Sequence, residues 1–412
     1  MEQHETRTRA SERGSALTWA LFFVVVVAGM IVSHTIYLAS NRRDLDVRFR
    51  QSALSTSFAR SGAIDALGWF QKQATQPVLG FAPVLDKLAN PPIEDTVDPL
   101  LGLVRQFEIR GGLWGRYEVR NVEVSDVSEL RCQPANSGGV WDITARGYLF
   151  ESNDPAKPFD IAPNRIVAMT SLRTELRGIA MIPPSQAAIC ATTGVNLEVG
   201  PYAVVDGGPR PALTYPLTSV PLLTMLTGVV SGVPARQGVV GYDADPKSVF
   251  KMNLEELGPM SDLQIKKDDA FVDPVTLIDD GSARLVGDLP SDSVAMVGRD
   301  LKLSFDNPLK GRVLLVVRGN LVVVGGGRSS ASGLIYVTGD ATIDGPFKFR
   351  GVLIVGGRLR LGQANTGKVQ VIYDPGELDA LRAQVGRYRF ARTFTIGAGS
   401  SGPDLLKTGG GK

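Results

Sequence analysis

The sequence predicts an α+β unit followed by an all-β one: a long N-terminal transmembrane and amphipathic helix, a small antiparallel sheet, and a C-terminal right-handed parallel β-helix with an insertion. Three observations carry this. No residue from 14 to 41 bears a formal charge. Three segments between residues 112 and 177, "RYEVRNVEVSDV", "VWDITARGYLF" and "NRIVAMTSLRTEL", alternate apolar and polar residues in the manner of half-buried strands. Gly319, Gly339 and Gly357 recur at separations of 20 and 18 inside short apolar stretches, "LVVRGNLVVVG", "IYVTGDATIDG" and "LIVGGRLRLG", as stacked coils require. With 412 residues, 43% hydrophobic and 21% charged, the chain has apolar material for two or three packed units.

At a rise of about 1.5 Å per residue, the uncharged run exceeds the roughly 30 Å hydrocarbon core of a bilayer. It is also too long for the core of a cleaved secretory signal, about 7 to 15 residues. Arg7, Arg9 and Arg13 precede it and Arg42, Arg43, Arg48 and Arg50 follow, so the distribution of positive charge sets no clear orientation. The helical pattern continues past the run: Leu45, Phe49, Ala53, Ala59, Ala63, Ala66, Leu67 and Phe70 recur mostly three or four apart, with no proline before Pro77. One helix of about 60 residues follows, half apolar all round and half amphipathic. Trp19 and His34 fall near opposite ends of the apolar half, where interfacial side chains belong.

The junction "ERGSAL" resembles the N-terminus of the type IV prepilin class, and with "ARSGAIDAL" further along the helix it is similar to the PilX-like minor pilins and K-type pseudopilins. The resemblance implies a leader at 1–14, cut by a prepilin peptidase between Gly14 and Ser15, then the transmembrane and amphipathic helix at 15–76. It also implies other pilins or pseudopilins as partners through that helix. A single pass of the bacterial inner membrane would leave the C-terminal part periplasmic, or displayed on a pilus at the cell surface. The chain departs from the class at the fifth mature position, where Trp19 replaces the usual glutamate. That points to a minor subunit rather than the bulk one.

Residues 77–180 form the expected pilin-like α+β region, with turns at "SGG" and "NDPAKP". "ICATTGVNLEVG" marks a first coil within 181–206, residues 207–294 an insertion with some helix, and 295–373 the main array, whose earliest copy places Asp300 in register 19 residues before Gly319. The array looks bactofilin-like. For 374–412 a capping helix and tail are expected, with Asp374 as N-cap, Pro375 in the first turn and Glu377 as capping-box partner.

Chemistry is sparse. The two histidines, His4 and His34, and the two cysteines, Cys132 and Cys190, have no zinc-site spacing, and no histidine outside the first 34 residues offers a general base. The cysteines read either as a disulfide joining the sheet to the first coil or as two buried thiols. Asp268, Asp269, Asp273, Asp279 and Asp280 cluster without EF-hand spacing, and "GGGRSS" lacks the lysine of a phosphate loop. Asp340 and Asp344 are the array's own acid pair, about 13 Å apart along a strand, too far for the usual catalytic carboxylates. No cofactor, metal, catalytic residue or small-molecule substrate is assigned. Residues 299–412 hold 17 Lys and Arg against 8 Asp and Glu; that excess admits surface polysaccharide or DNA as a partner, against the plainer reading of solvated charge. A structural pilin-like role is expected, with a membrane-anchored β-helix adhesin or scaffold, or a polysaccharide-active enzyme, as alternatives.

Overall fold

A computed structural model describes residues 5–83, 101–192, 197–218, 225–269, 276–279, 281–285, 287–325 and 329–399. Helix α1 runs unbroken over Glu5–Lys72. Its second half lies on an antiparallel sheet of β1 (Leu101–Arg110), β2 (Leu113–Asp126), β3 (Val140–Glu151) and β4 (Arg165–Arg177), in that order, with a fifth strand, Arg389–Gly399, beside β4. Ala59, Ala63, Ala66 and Phe70 bury one face of the helix against Val119, Trp141, Ile143, Ala145, Leu172 and Leu176. Small side chains at i, i+4 and i+7 bring the helix close to the strands. The larger Phe70 then fills the end of the layer, its ring 5.3 Å from Trp141 and 5.2 Å from Tyr388.

The rest is a parallel β-solenoid. One ladder runs Val229–Ser231, Ala203–Asp206, Val369–Ile372, Phe347–Val355, Ser329–Val337, Lys310–Val317, Ser293–Val297, Leu263–Ile265. A second runs from Ser282–Leu285 through Leu301–Leu303, Leu321–Val324, Ala341–Asp344, Leu359–Leu361 and Leu197–Val199 to Met225–Leu226. Leu301, Leu321, Ala341 and Leu359 stand in register and are fully buried, as are Leu315, Ile335 and Leu353 on the facing ladder. The coils thereby share one continuous apolar interior.

Five sequence expectations change: part of the expected C-terminal tail, Arg389–Gly399, is the fifth strand of the sheet, and four more concern the solenoid and its cap. The pairing sets Asp300 beside Asn320, one position from the expected register, so Arg299 stands where later coils have glycine. The first coil, 189–206, stacks on the last coil of the array through Leu353↔Ile189, Leu359↔Leu197 and Val369↔Ala203. Much of the supposed insertion is solenoid too: Leu213–Pro216, Val229–Ser231 and Arg236–Val239 extend the stack beyond that coil. The chain then passes through α2 (Pro246–Phe250) and α3 (Leu254–Leu257) to begin again at the opposite end with Leu263–Ile265. Finally, α4 (Pro375–Val385) has the expected cap, the Asp374 carboxylate accepting from the Glu377 amide at 3.2 Å, but it lies along the side of the stack. Its Leu378, Leu381 and Val385 pack with outward-facing Leu314, Leu334, Val352 and Ile354. These coil strands are apolar on both faces and need a cover, which α4, α2 and α3 provide.

Gly333 and Gly351 stack at one corner with φ of +111° and +138°. A Cβ on Gly351 would collide with the Gly333 carbonyl. Gly351→Val is expected to cost about 2–4 kcal/mol through strain and overpacking, read as a lowered unfolding midpoint in denaturant.

Sheet and solenoid are joined by a polar seam. Arg177, 1% exposed, pairs with Glu256 at 3.2 Å and donates to the Lys251 carbonyl at 3.5 Å, while Arg389 pairs with Asp262 at 2.7 Å. Burial acts against the Glu256 carboxylate, yet the Asn253 amide and Arg177 outweigh it and hold its pKa below the ordinary range. Such a group stabilises the fold fully above the unfolded carboxyl pKa, about 4.3, and loses that contribution as pH falls through the depressed folded value. Glu256→Ala strands a buried guanidinium and is expected to cost about 3 kcal/mol at pH 7. The difference from wild type should shrink in melts taken at progressively more acid pH.

Candidate functional site

The candidate site is α1 itself. Every residue from 19 to 50 is exposed, and the apolar stretch beginning at Trp19 has a mean hydropathy of 2.2 over an 18-residue window with none of it buried. Phe23 is 69% exposed and Phe49 76%, a contiguous apolar surface of a kind that soluble monomers rarely leave uncovered. The helix is long and apolar enough to cross a membrane. Arg42, Arg43, Asp44, Asp46, Arg48 and Arg50 then form a charged collar through which Leu45 and Phe49 still present apolar surface.

Beyond the collar the helix becomes part of the sheet unit. The Ser55 hydroxyl lies 2.7 Å from that of Thr170. At Gly147 the strand backbone meets the helix backbone at Ser55 and Ala59, leaving no room for a Cβ. The Tyr117 hydroxyl donates to Asp65, which also pairs with Arg105 at 3.2 Å. Burial foremost, then that bond to a carboxylate, pushes the Tyr117 pKa up. The Gln71 amide donates to the Tyr388 carbonyl at 2.8 Å, and the Tyr388 hydroxyl accepts from the Val78 amide at 2.9 Å and donates to the Gly138 carbonyl. The exposed rod is thus continuous with a rigid base.

The residues singled out in the sequence are dispersed. Gly14 and Ser15 lie within the unbroken backbone of α1. Trp19 is exposed, its ring edge-on to Phe22, and His34 is exposed near the far end of the apolar stretch. Gly319, Gly339 and Gly357 do stack: the Gly339 amide donates to the Gly319 carbonyl at 3.0 Å and the Gly357 amide to Gly339 at 2.9 Å. A Cβ at any of them would press on the backbone of the coil before it.

Cys132 and Cys190 are free thiols, and only one of them is buried. Cys190 points out of its coil toward Ser185 and Thr214, with its Sγ 3.5 and 3.6 Å from their hydroxyls, and burial raises its pKa. Cys132 ends a 3-10 turn on the surface of the sheet unit. Asp340 and Asp344 each accept backbone N–H groups from the next turn, of Arg358 at 2.7 Å and of Gln363 at 2.7 Å, so they serve the stacking. Asp273, Asp280, the side chain of Asp279 and residues 326–328 of the "GGGRSS" stretch fall outside the described residues. Among the described residues no group of three or more His, Cys, Asp or Glu could hold a metal.

No family model and no curated protein matches the chain. Among solved structures it is similar to competence-associated pilin ComZ from Thermus thermophilus, at 12% identity over 84% of this chain and 98% of that one, with a TM-score of 0.22. A superposition of that quality carries no argument about role.

Proposed function

We propose that the chain is a minor-pilin-like structural component of a type IV pilus or type II secretion pseudopilus. A prepilin peptidase frees it from its leader between Gly14 and Ser15, and the solenoid is displayed by the assembly. The observation that supports this is α1, one helix with an apolar first half exposed along its length and a second half locked to a sheet. Before assembly the apolar half crosses the inner membrane once, with the solenoid on the periplasmic side. Afterwards it packs against the helices of other pilins, and Trp19, which cannot act as a carboxylate toward a neighbour's free amine, fits a minor position. The role is structural, without catalysis of its own.

Trp19 also favours a second reading, a fixed membrane anchor for a solenoid adhesin. Sequencing the mature N-terminus from cells with an active prepilin peptidase separates the two. Ser15 as first residue, with Gly14→Val retaining Met1, is the expected result; an intact Met1 in the wild type selects the fixed anchor.

A further inference from the structure

A cleft of about 610 Å³ opens where three distant parts of the chain meet, within the range of small-molecule sites, about 300–1,000 Å³. Its walls come from the link into the first coil (Ile182, Pro183, Gln186), the turn after Ala203–Asp206 (Pro209, Arg210), and the segment from Tyr373 into α4 (Leu378, Asp379, Arg382). The walls are fixed. Arg382 clamps the Met181 carbonyl through Nε and Nη2 at 2.9 and 2.6 Å and holds Asp379 Oδ1 at 2.7 Å. The Arg210 amide is tied to Gly207 at 3.0 Å and the Tyr373 amide to Asp206 at 2.8 Å.

Four polar functions remain unused among the described residues: the Arg210 guanidinium, the Tyr373 hydroxyl, the Gln186 amide and Asp379 Oδ2. Burial raises the Tyr373 pKa, while the charges of Arg210 and Arg382 reach its hydroxyl and oppose that rise. Arg382 and Asp379 compensate each other, so the cleft presents one uncompensated cation beside an aromatic ring, prolines and groups that both donate and accept. A fatty or aromatic acid would satisfy Arg210 but cover the Gln186 amide and the second carboxylate oxygen of Asp379 while offering neither a hydrogen bond. A phosphate dianion would bring two charges to a cleft with one uncompensated cation. A sugar acid answers all four: its carboxylate to Arg210, its hydroxyls to Tyr373, Gln186 and Asp379, and its C–H face to the ring and prolines.

We infer that this cleft is a binding site for a hexuronate unit of an acidic polysaccharide, with Arg210 as the residue that recognises the carboxylate. The site is independent of how α1 is used.

The test is calorimetric titration of the full chain in detergent micelles with digalacturonate, its methyl ester and an unrelated carboxylate-terminated tripeptide. Saturable binding of digalacturonate is expected, weakened about tenfold or more by esterification or by Arg210→Ala, the worth of one charge-assisted contact. Tyr373→Phe should weaken it several-fold, and Lys348→Ala, on a coil strand outside the cleft, should leave it unchanged. Absence of saturable binding, equal binding of the ester, tighter binding of the tripeptide, or full affinity in an Arg210→Ala variant with wild-type melting would each overturn the assignment.

Discussion

Val24→Arg combined with Val27→Arg is expected to abolish stable insertion of the chain into membranes. Both side chains are exposed on the apolar half of α1, at 67% and 45%, and both sit near the middle of the uncharged run. An arginine at the centre of a transmembrane helix costs about 2.5–3.5 kcal/mol on insertion scales, so two together remove about 5–7 kcal/mol of the partitioning energy. The single variants should shift the distribution in alkaline extraction only partly, whereas the double variant should leave the membrane pellet. Phe49→Arg lies in the charged collar and should leave extraction as in the wild type. Loss of insertion in Phe49→Arg as well would show that the membrane boundary is misplaced.

Gly147→Val is expected to detach the second half of α1 from its sheet. The new Cβ would overlap the Ser55 carbonyl and the Ala59 amide, both backbone atoms of a helix that has no rotamer with which to give way. The helix must lift, and Ala59, Ala63, Ala66 and Phe70, each at most 2% exposed, lose their partners. Overpacking alone costs about 1–3 kcal/mol, and the uncovered layer adds to it, so a drop of about 3 kcal/mol or more is expected. Melts of the detergent-solubilised chain and new proteolysis after Arg60 would register it. Gly68→Ala is the control: its Cβ meets nothing within 4 Å, and a glycine replaced inside a helix should be neutral or slightly stabilising.

How much of this the sequence disclosed depends on what each element's pattern records. A helix with one apolar half and one amphipathic half writes both environments into its periodicity, so the apolar run and the buried face at Ala59, Ala63, Ala66 and Phe70 were legible. Leu45, Phe49 and Ala53 follow the same spacing yet face outward, because periodicity marks a stripe without saying what covers it. The solenoid was legible through its glycines and alternating strands. The order of its coils was not, since self-similar coils carry a register but no address, and 189–206 stacks as well on 347–361 as on a coil next to it in the chain.

Two missed features did leave a signal. "VLLVV", "GLIYV" and "GVLIV" are continuous apolar runs, which mark strands buried on both faces and so announce the cover formed by α2, α3 and α4. "RFARTFTIG" alternates as a sheet strand should, yet its partner β4 ends more than 200 residues earlier, a pairing that local pattern cannot assign. The cysteines are illegible for a similar reason: sequence spacing says nothing of distance, and one thiol sits under the packed side of a coil while the other sits on a surface turn. The hexuronate cleft left no trace, being assembled from 182–186, 209–210 and 373–382 only after the coils have stacked.

On the proposed function, the bare half of α1 packs against other helices of the same kind. A photoreactive side chain at Ile31, 61% exposed and deep in the apolar stretch, tests it most directly when irradiated in cells that carry the assembly machinery. Covalent adducts to the apolar helices of pilin-like chains, lost in Gly14→Val, the substitution expected to block the proposed processing, are the predicted result. Adducts to lipid alone, unchanged by that substitution, would show that α1 remains a fixed tether.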